Sequence, residues 1–145
     1  MKKIPAIKSV MTPSPLSVAI DEPVRVAEDM MIDHEVRHLP VTESGDLVGL
    51  LSDRDIAFRS NSPESDLQDR LRVRDVCSLE VYAVEVGEPL DLVLNEMVDR
   101  RIGSAVVTEK GKVVGLFTAT DACRCFAEFL ESHFPETKSD NSSER

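Results

Sequence analysis

The chain has 145 residues, of which 17 are Lys or Arg and 27 are Asp or Glu, so its formal net charge is −10. This charge argues against a nucleic-acid-binding protein, because affinity for phosphate backbones comes from clustered Lys and Arg. Hydrophobic residues make up 41% of the chain, but the apolar runs are only as long as strands, which argues against a membrane protein.

The cysteines and the N-terminus indicate the compartment. Three cysteines, without the C-x-x-C spacing of redox and zinc motifs, are typical of a reducing environment. The basic start of the chain is not followed by an apolar stretch, so we predict no signal peptide. We therefore expect a cytoplasmic globular protein that has no metal site and no cofactor and needs no disulfide to fold.

An internal repeat organises the chain. Sliding the sequence by 66 residues aligns two segments without a gap, with identical pairs such as Gly49/Gly115 and Asp55/Asp121. The chain is therefore predicted to be an internal duplication. The predicted units are a first repeat at 5–58, a polar linker at 59–72, a second repeat at 73–130 and a disordered tail at 135–145.

Both copies predict the same order of elements, β-α-β-β-α. A short strand precedes a Glu-Pro helix start, and the helix shows one apolar face at i, i+3, i+4 and i+7. Two strands follow, joined by a short turn that contains Gly45 or Gly111, and a second helix begins at Ser52 or Thr118. The predicted strands are 16–20, 37–42 and 46–51 in the first copy and 82–86, 102–108 and 112–117 in the second.

The predicted fold class is α+β. A unit of roughly 50 residues seldom buries enough surface alone, so we expect the two copies to pack sheet to sheet with pseudo-two-fold symmetry. The last helix carries one further apolar stripe, for which core packing is the favoured interpretation and a dimer contact is the alternative. This stripe consists of Ala122, Phe126, Phe129, Leu130 and Phe134.

A motif of the form [ST]-x-x-D lies where a strand passes into a helix in both copies, at Ser52–Asp55 and at Thr118–Asp121. The simplest interpretation is a capping box, which satisfies backbone groups at a helix start. Three features favour a ligand site instead. A glycine three residues earlier would let a ligand approach the backbone, the helix start offers N–H donors to a phosphate, and an ionised Asp can accept both hydroxyls of a ribose.

Several segments together resemble the CBS (cystathionine β-synthase) domain. They are Val10-Met-Thr-Pro, Val36-Arg-His-Leu-Pro-Val and Gly49-Leu-Leu-Ser-Asp-Arg-Asp-Ile, with a more divergent second copy from Val73-Arg-Asp-Val through Gly115-Leu-Phe-Thr-Ala-Thr-Asp. Two copies in tandem resemble a Bateman module. The resemblance implies a regulatory unit that binds an adenosine-containing ligand, such as AMP, ADP, ATP or S-adenosylmethionine, in the cleft between repeats. It also implies a homodimer and a protein partner of unknown identity.

The resemblance implies roles for single residues. Asp55 and Asp121 would hold the ribose, and Ser52 and Thr118 would contact ribose or phosphate. Two loops, 12–16 and 78–82, would bind the base, and each would serve the Asp of the opposite repeat. The candidates in these loops are Thr12, Pro15, Leu16, Ser78, Val81 and Tyr82.

Arg37, His38 and Arg54 are the candidates for contacts to ribose or phosphate in the first copy, since an anionic protein needs local cations to hold a phosphate. Neighbouring residues on a strand point to opposite faces, so we expect only one of Arg37 and His38 to line a given cleft.

The second copy departs from this pattern, because Gly103 and Thr120 replace Arg37 and Arg54. We therefore expect the stronger site at Asp55. A site in the second copy would take a less charged ligand, or a phosphate held by residues of the first copy or of a partner chain.

Catalysis is not expected. The chain has no G-x-S-x-G, H-E-x-x-H or Walker A motif, and its histidines form no recognisable constellation. The alternative to a ligand sensor is an interaction scaffold, in which the same fold has degenerate ligand sites and acts through dimerisation. Thermal melting with adenosine ligands would distinguish the two.

Overall fold

The computed structural model describes residues 3–14, 16–60 and 70–135. A 3₁₀ turn at Ile7–Ser9 begins the described fold. The helices are α1 (Val24–His34), α2 (Asp53–Ser60), α3 (Val73–Val76), α4 (Leu90–Arg100) and α5 (Ala119–His133). The strands are β1 (Thr12–Pro13), β2 (Val18–Ala19), β3 (His38–Glu43), β4 (Asp46–Ser52), β5 (Ala83–Glu85), β6 (Ser104–Glu109) and β7 (Lys112–Thr118).

The strands form two sheets, one for each repeat. In the first sheet β2 runs parallel to β3, and β3 pairs with β4 in an antiparallel hairpin. The second sheet has the order β1-β7-β6-β5, with the same parallel and antiparallel pairs among β5, β6 and β7. Strands β4 and β7 lie against each other where the sheets meet. This arrangement confirms the predicted α+β fold of two β-α-β-β-α repeats.

Helix α4 packs on its sheet through the apolar face that the sequence predicts. Leu90, Val93 and Met97 are buried, and Val24, Ala27 and Met31 occupy the equivalent places on α1. No helix in the described part of the chain has the length and apolar character needed to cross a membrane.

The two repeats exchange their N-terminal segments. Ile7 precedes the first repeat's strands but is fully buried in the core of the second repeat, and Val73 is buried in the core of the first. The Ile7 N–H donates to the Glu88 carbonyl at 2.8 Å, and the Val73 N–H donates to the Glu22 carbonyl at 2.9 Å. Each core is therefore completed by a residue from the opposite repeat.

Gly49 and Gly115 are required by this exchange. A Cβ atom on Gly49 would lie 2.6 Å from the carbonyl oxygen of Ser78, and one on Gly115 would lie 2.8 Å from that of Thr12. Both distances are too short for real atoms. The prediction that these glycines leave room for a ligand is wrong, because the space above each one holds the loop of the opposite repeat.

The apolar stripe on α5 is mostly exposed. Ala122 packs against the core of the second repeat, but Phe126 is 63% exposed and Phe129, Leu130 and Phe134 are also exposed. The core-packing interpretation is therefore wrong for these four residues, because only the N-terminal turns of α5 cover the sheet. Residues 61–69 of the predicted linker, residues 136–145 of the predicted tail, and Pro15 lie outside the described residues.

Candidate functional site

Asp121 lies in the first turn of α5 and is only 4% exposed. Its Oδ2 atom accepts hydrogen bonds from the Thr118 backbone N–H at 2.8 Å and from the Thr118 hydroxyl at 3.2 Å. Its Oδ1 atom accepts from the Thr12 hydroxyl at 2.8 Å and pairs with the Arg124 guanidinium. Groups from both repeats therefore hold this carboxylate in place.

The same contacts set the charge of Asp121. Burial alone would raise the pKa of Asp121, but the hydrogen bonds from Thr118, Thr12 and Arg124, together with the Arg124 charge, outweigh it and hold the pKa below its ordinary value. Asp121 is therefore an ionised carboxylate at neutral pH, and an ionised carboxylate only accepts hydrogen bonds.

An open cleft of about 580 Å³ lies over Asp121. This volume is within the range of small-ligand sites, roughly 300–1,000 Å³. Both repeats contribute to its wall. The lining residues are Thr12, Glu35, Val36, Arg37, His38, Gly103, Leu116, Thr118, Ala119, Thr120, Asp121 and Arg124.

Arg37 and His38 both line this cleft, so the expectation that only one of them would do so is wrong. The alternation rule applies within a strand, but β3 begins at His38, and Arg37 lies in the bend before it. The bend follows the end of α1, where Glu35 has a left-handed backbone with φ of 53°. The structure therefore brings two candidates of the first repeat, Arg37 and His38, to the cleft at the acid of the second.

His38 is half-buried in the cleft wall. Burial lowers the pKa of His38; the negative charges of Asp53 and Asp55 act in the opposite direction, and the Arg37 charge lowers it further. The net effect is a pKa below the ordinary 6.5, so His38 is mainly neutral at pH 7. In that state it offers a hydrogen-bond donor or acceptor to a ligand.

The lowered pKa of His38 predicts a loss of stability in mild acid. Because the unfolded chain takes up this proton first, the free energy of unfolding is greatest above pH 6.5 and falls as pH falls through the folded pKa. Urea unfolding between about pH 7 and 5 should show this slope in the wild type and a shallower slope in His38→Gln. The exposed His34 provides the control: His34→Gln should keep the wild-type slope. An unchanged slope in His38→Gln would contradict the burial argument.

Asp55 occupies the equivalent position in the first repeat. The Ser52 N–H donates to Oδ2 of Asp55 at 2.9 Å, and the Asp55 N–H donates to the Ser52 hydroxyl at 3.2 Å. These reciprocal bonds form the capping box that the motif predicts. Burial raises the pKa of the Cys77 thiol, and the negative charge of Asp55 raises it further.

Comparison with known families identifies the repeats. The family model described as CBS domain matches residues 7–61 and again residues 73–128. The chain belongs to the CBS domain family. The two matched segments are the duplicated units, so the protein is a tandem CBS pair.

Similar CBS proteins include one of nearly the same length. The CBS domain-containing protein YhcV of Bacillus subtilis is 28% identical over 116 residues, which cover 80% of this chain and 81% of that protein. The CBS domain pair of protein MJ0100, solved in complex with 5′-methylthioadenosine and S-adenosyl-L-methionine, superposes with a TM-score of 0.73 at 25% identity. That match covers 87% of this chain and 98% of the MJ0100 chain.

Other relatives are much longer. The L-aspartate semialdehyde sulfurtransferase of Methanocaldococcus jannaschii is 28% identical over 125 residues, which cover 85% of this chain but only 23% of that enzyme. A CBS pair therefore also occurs as a minor part of a larger enzyme.

Two residues of the candidate base loops of the CBS pair pack against the hydrophobic cores. Leu16 packs against the core of the first CBS repeat. Tyr82 packs against the core of the second, with the Arg100 guanidinium 4.9 Å from its ring centroid. Val81 is half-buried. Ser78 pairs its backbone with Leu50 on β4, which places this loop against the first repeat.

Thr12 and Arg54 are the remaining candidates from the sequence, and they lie in different places. Thr12 lies in the cleft on the acid of the opposite repeat, as the family resemblance implies for its loop. Arg54 is exposed on α2 and is not among the described residues that line the cleft at Asp121. Among the described residues, no group of three or more His, Cys, Asp or Glu side chains could hold a metal ion, and Cys77, Cys123 and Cys125 are free thiols.

Arg124 and Glu35 are charged cleft residues that sequence reasoning missed, and Arg124 contacts Asp121. Repeat alignment hides Arg124, because the equivalent residue 66 positions earlier is Phe58. A signal was present, since a residue three positions after Asp121 on a helix lies on the same face as the carboxylate. The structure shows that contact directly.

Proposed function

We propose that this protein is a regulatory, non-catalytic module that binds an adenosine-containing ligand in the cleft between its CBS repeats and signals to a partner protein. The observation that carries this proposal is an ionised, almost fully buried Asp121 carboxylate at a cleft lined from both repeats. The MJ0100 pair, whose structure holds two adenosine derivatives, supports the ligand class.

The chemistry of the cleft suits a nucleotide. Asp121 can accept hydrogen bonds from ribose hydroxyls, and the Thr118 hydroxyl can reach the same sugar or a phosphate. Arg37 supplies a charged donor for phosphate oxygens, and His38 supplies a neutral one. Thr12 lies at the cleft from the loop proposed to face the base.

Asp55, with Ser52 and Arg54, is proposed as the ribose and phosphate group of a second site, for which Ser78, Val81 and Tyr82 would form the base loop. The sequence favoured Asp55 because its repeat keeps more cations. In the structure one of those cations, Arg37, lines the cleft at Asp121 together with the neutral His38. We therefore propose that Asp121 marks the tighter site and that the first repeat contributes a phosphate contact to it.

The contact between Thr12 and Asp121 suggests how a ligand could change the shape of the module. Thr12 belongs to the first repeat, and its 2.8 Å hydrogen bond to Asp121 joins the two repeats at the cleft. A sugar that hydrogen-bonds to Asp121 therefore acts on a group that both repeats hold. The ligand then shifts the balance between two arrangements by its different affinity for each of them.

Thermal melting with a ligand panel tests the proposed function. A ligand present at 100 times its Kd stabilises the folded state by about 2.7 kcal/mol, so one member of AMP, ADP, ATP, 5′-methylthioadenosine and S-adenosylmethionine should raise Tm clearly. Asp121→Asn should lose this shift. If no member of the panel raises Tm at millimolar concentration, the module does not bind adenosine ligands.

The scaffold is the second candidate, and the exposed face of α5 favours it. Phe126 and Phe129 stack with ring centroids 6.4 Å apart on a surface rich in exposed aromatic rings. We propose that a second copy of the chain covers this face in a homodimer. A dimer that forms without any ligand response would support the scaffold.

The free cysteines favour a cytoplasmic location.

A further inference from the structure

Arg124 contacts the carboxylate that the proposed function assigns to the sugar, and it also lines the cleft. We propose that Arg124 makes this cleft select phosphorylated over unphosphorylated adenosine ligands, by moving from Asp121 to the phosphate of the ligand. This inference rests on the proposed function and specifies its ligand class.

The first step is the occupancy of the carboxylate. An ionised carboxylate has about four acceptor positions. In the structure Asp121 accepts from the Thr118 N–H, the Thr118 hydroxyl, the Thr12 hydroxyl and the Arg124 guanidinium. A sugar can therefore hydrogen-bond to Asp121 only if one of these donors leaves.

The second step is the choice of donor. The Thr118 N–H is fixed at the start of α5, and Thr12 is held by the pairing of β1 with β7. Arg124 has a long side chain that is 52% exposed, so it can leave without breaking secondary structure or exposing a core. Of the two donors to Oδ1, Thr12 and Arg124, Arg124 is therefore the easier to displace.

The third step is where the displaced guanidinium goes. A phosphate on the ligand can accept charge-assisted, bidentate hydrogen bonds from an arginine. A phosphorylated ligand thus replaces the lost ion pair, whereas an unphosphorylated one leaves the guanidinium in water. Glu35 and Arg37 carry opposite charges in the same cleft, so the guanidinium that Asp121 releases adds the positive charge that favours a phosphate.

The first repeat lacks this device. Phe58 stands at the equivalent position on α2 and is 82% exposed, with no charge to exchange. The two sites of the module would therefore differ in ligand class, and Arg124 would be the residue that distinguishes them.

Calorimetric titration of the full chain with AMP and with 5′-methylthioadenosine tests this inference, because the two probes differ at the 5′ position. We expect the wild type to bind AMP at least about tenfold more tightly, since one charge-assisted contact is worth at least that factor. In Arg124→Gln the ratio should fall to about threefold or less, through weaker binding of AMP without weaker binding of 5′-methylthioadenosine. Arg25→Gln, which removes an exposed arginine on α1, should keep the wild-type ratio.

The outcomes separate the inference from the function. If Arg124→Gln weakens both probes equally, or leaves the ratio unchanged, Arg124 only positions Asp121 and the inference is wrong. If the wild type prefers 5′-methylthioadenosine, the inference is also wrong, while adenosine-ligand binding stands. If the wild type binds neither probe at millimolar concentration and the melting panel is flat, the proposed function fails and the inference fails with it.

Discussion

Ile7→Ala is expected to lower the free energy of unfolding by about 2–5 kcal/mol, the usual effect of truncating a fully buried isoleucine. Ile7 has no exposed surface and packs in the core of the repeat opposite to its own. Ile4, three residues earlier, is 56% exposed, and Ile4→Ala should change stability by less than about 0.5 kcal/mol. Urea unfolding of the two variants provides the comparison.

The Ile7→Ala result also tests whether the two repeats exchange their N-terminal segments. Because Ile7 completes the second core and Val73 completes the first, the whole chain should unfold in one transition, as small cooperative domains do. If Ile7→Ala were no more harmful than Ile4→Ala, the N-terminal segment would contribute little to the second repeat. Two separate transitions would show that the repeats fold independently.

Asp121→Asn is expected to weaken AMP binding by about 10- to 150-fold, because a hydroxyl contact to a charged acceptor, worth roughly 1.5–3 kcal/mol, is lost. Asp55→Asn should weaken it by less than about tenfold, since Arg37 and His38 line the cleft at Asp121. Calorimetric titration gives both affinities, and urea unfolding checks that each variant is folded at the temperature used.

The opposite effect of the two substitutions would contradict the ranking of Asp121 above Asp55. A larger loss in Asp55→Asn than in Asp121→Asn would restore the order that the sequence alone suggests. It would also mean that Arg37 and His38 act together with Asp55. The negative charge of Asp55 already affects the pKa of His38.

The fold could be predicted from the sequence because the signals are local and occur twice. Helix periodicity, the glycine turns and the 66-residue offset are each readable along the chain, and two copies reduce the chance of a false match. The sequence pattern defines the ends of the strands less sharply than their existence. The start of β3 at His38 rather than at residue 37 was enough to bring Arg37 and His38 to the same cleft.

The features that the sequence did not predict depend on contacts between the repeats. Gly49 is small because Ser78 of the other repeat passes above it, and no pattern near Gly49 reports that loop. The apolar stripe on α5 has the period of a core helix, but periodicity does not say how far the sheet extends beneath it. The repeat does not indicate a role for Arg124, because the aligned residue, Phe58, has different chemistry; only the contact of Arg124 with Asp121 does so.

The most direct measurement compares AMP with 2′-deoxyadenosine 5′-monophosphate on the wild type and on Asp121→Asn. If the Asp121 carboxylate accepts a hydrogen bond from the ribose, loss of the 2′-hydroxyl should weaken wild-type binding by about 5- to 150-fold, equivalent to roughly 1–3 kcal/mol. Asp121→Asn should bind the two nucleotides with nearly equal affinity. Equal affinity of the wild type for both nucleotides would show that Asp121 does not hold the ribose.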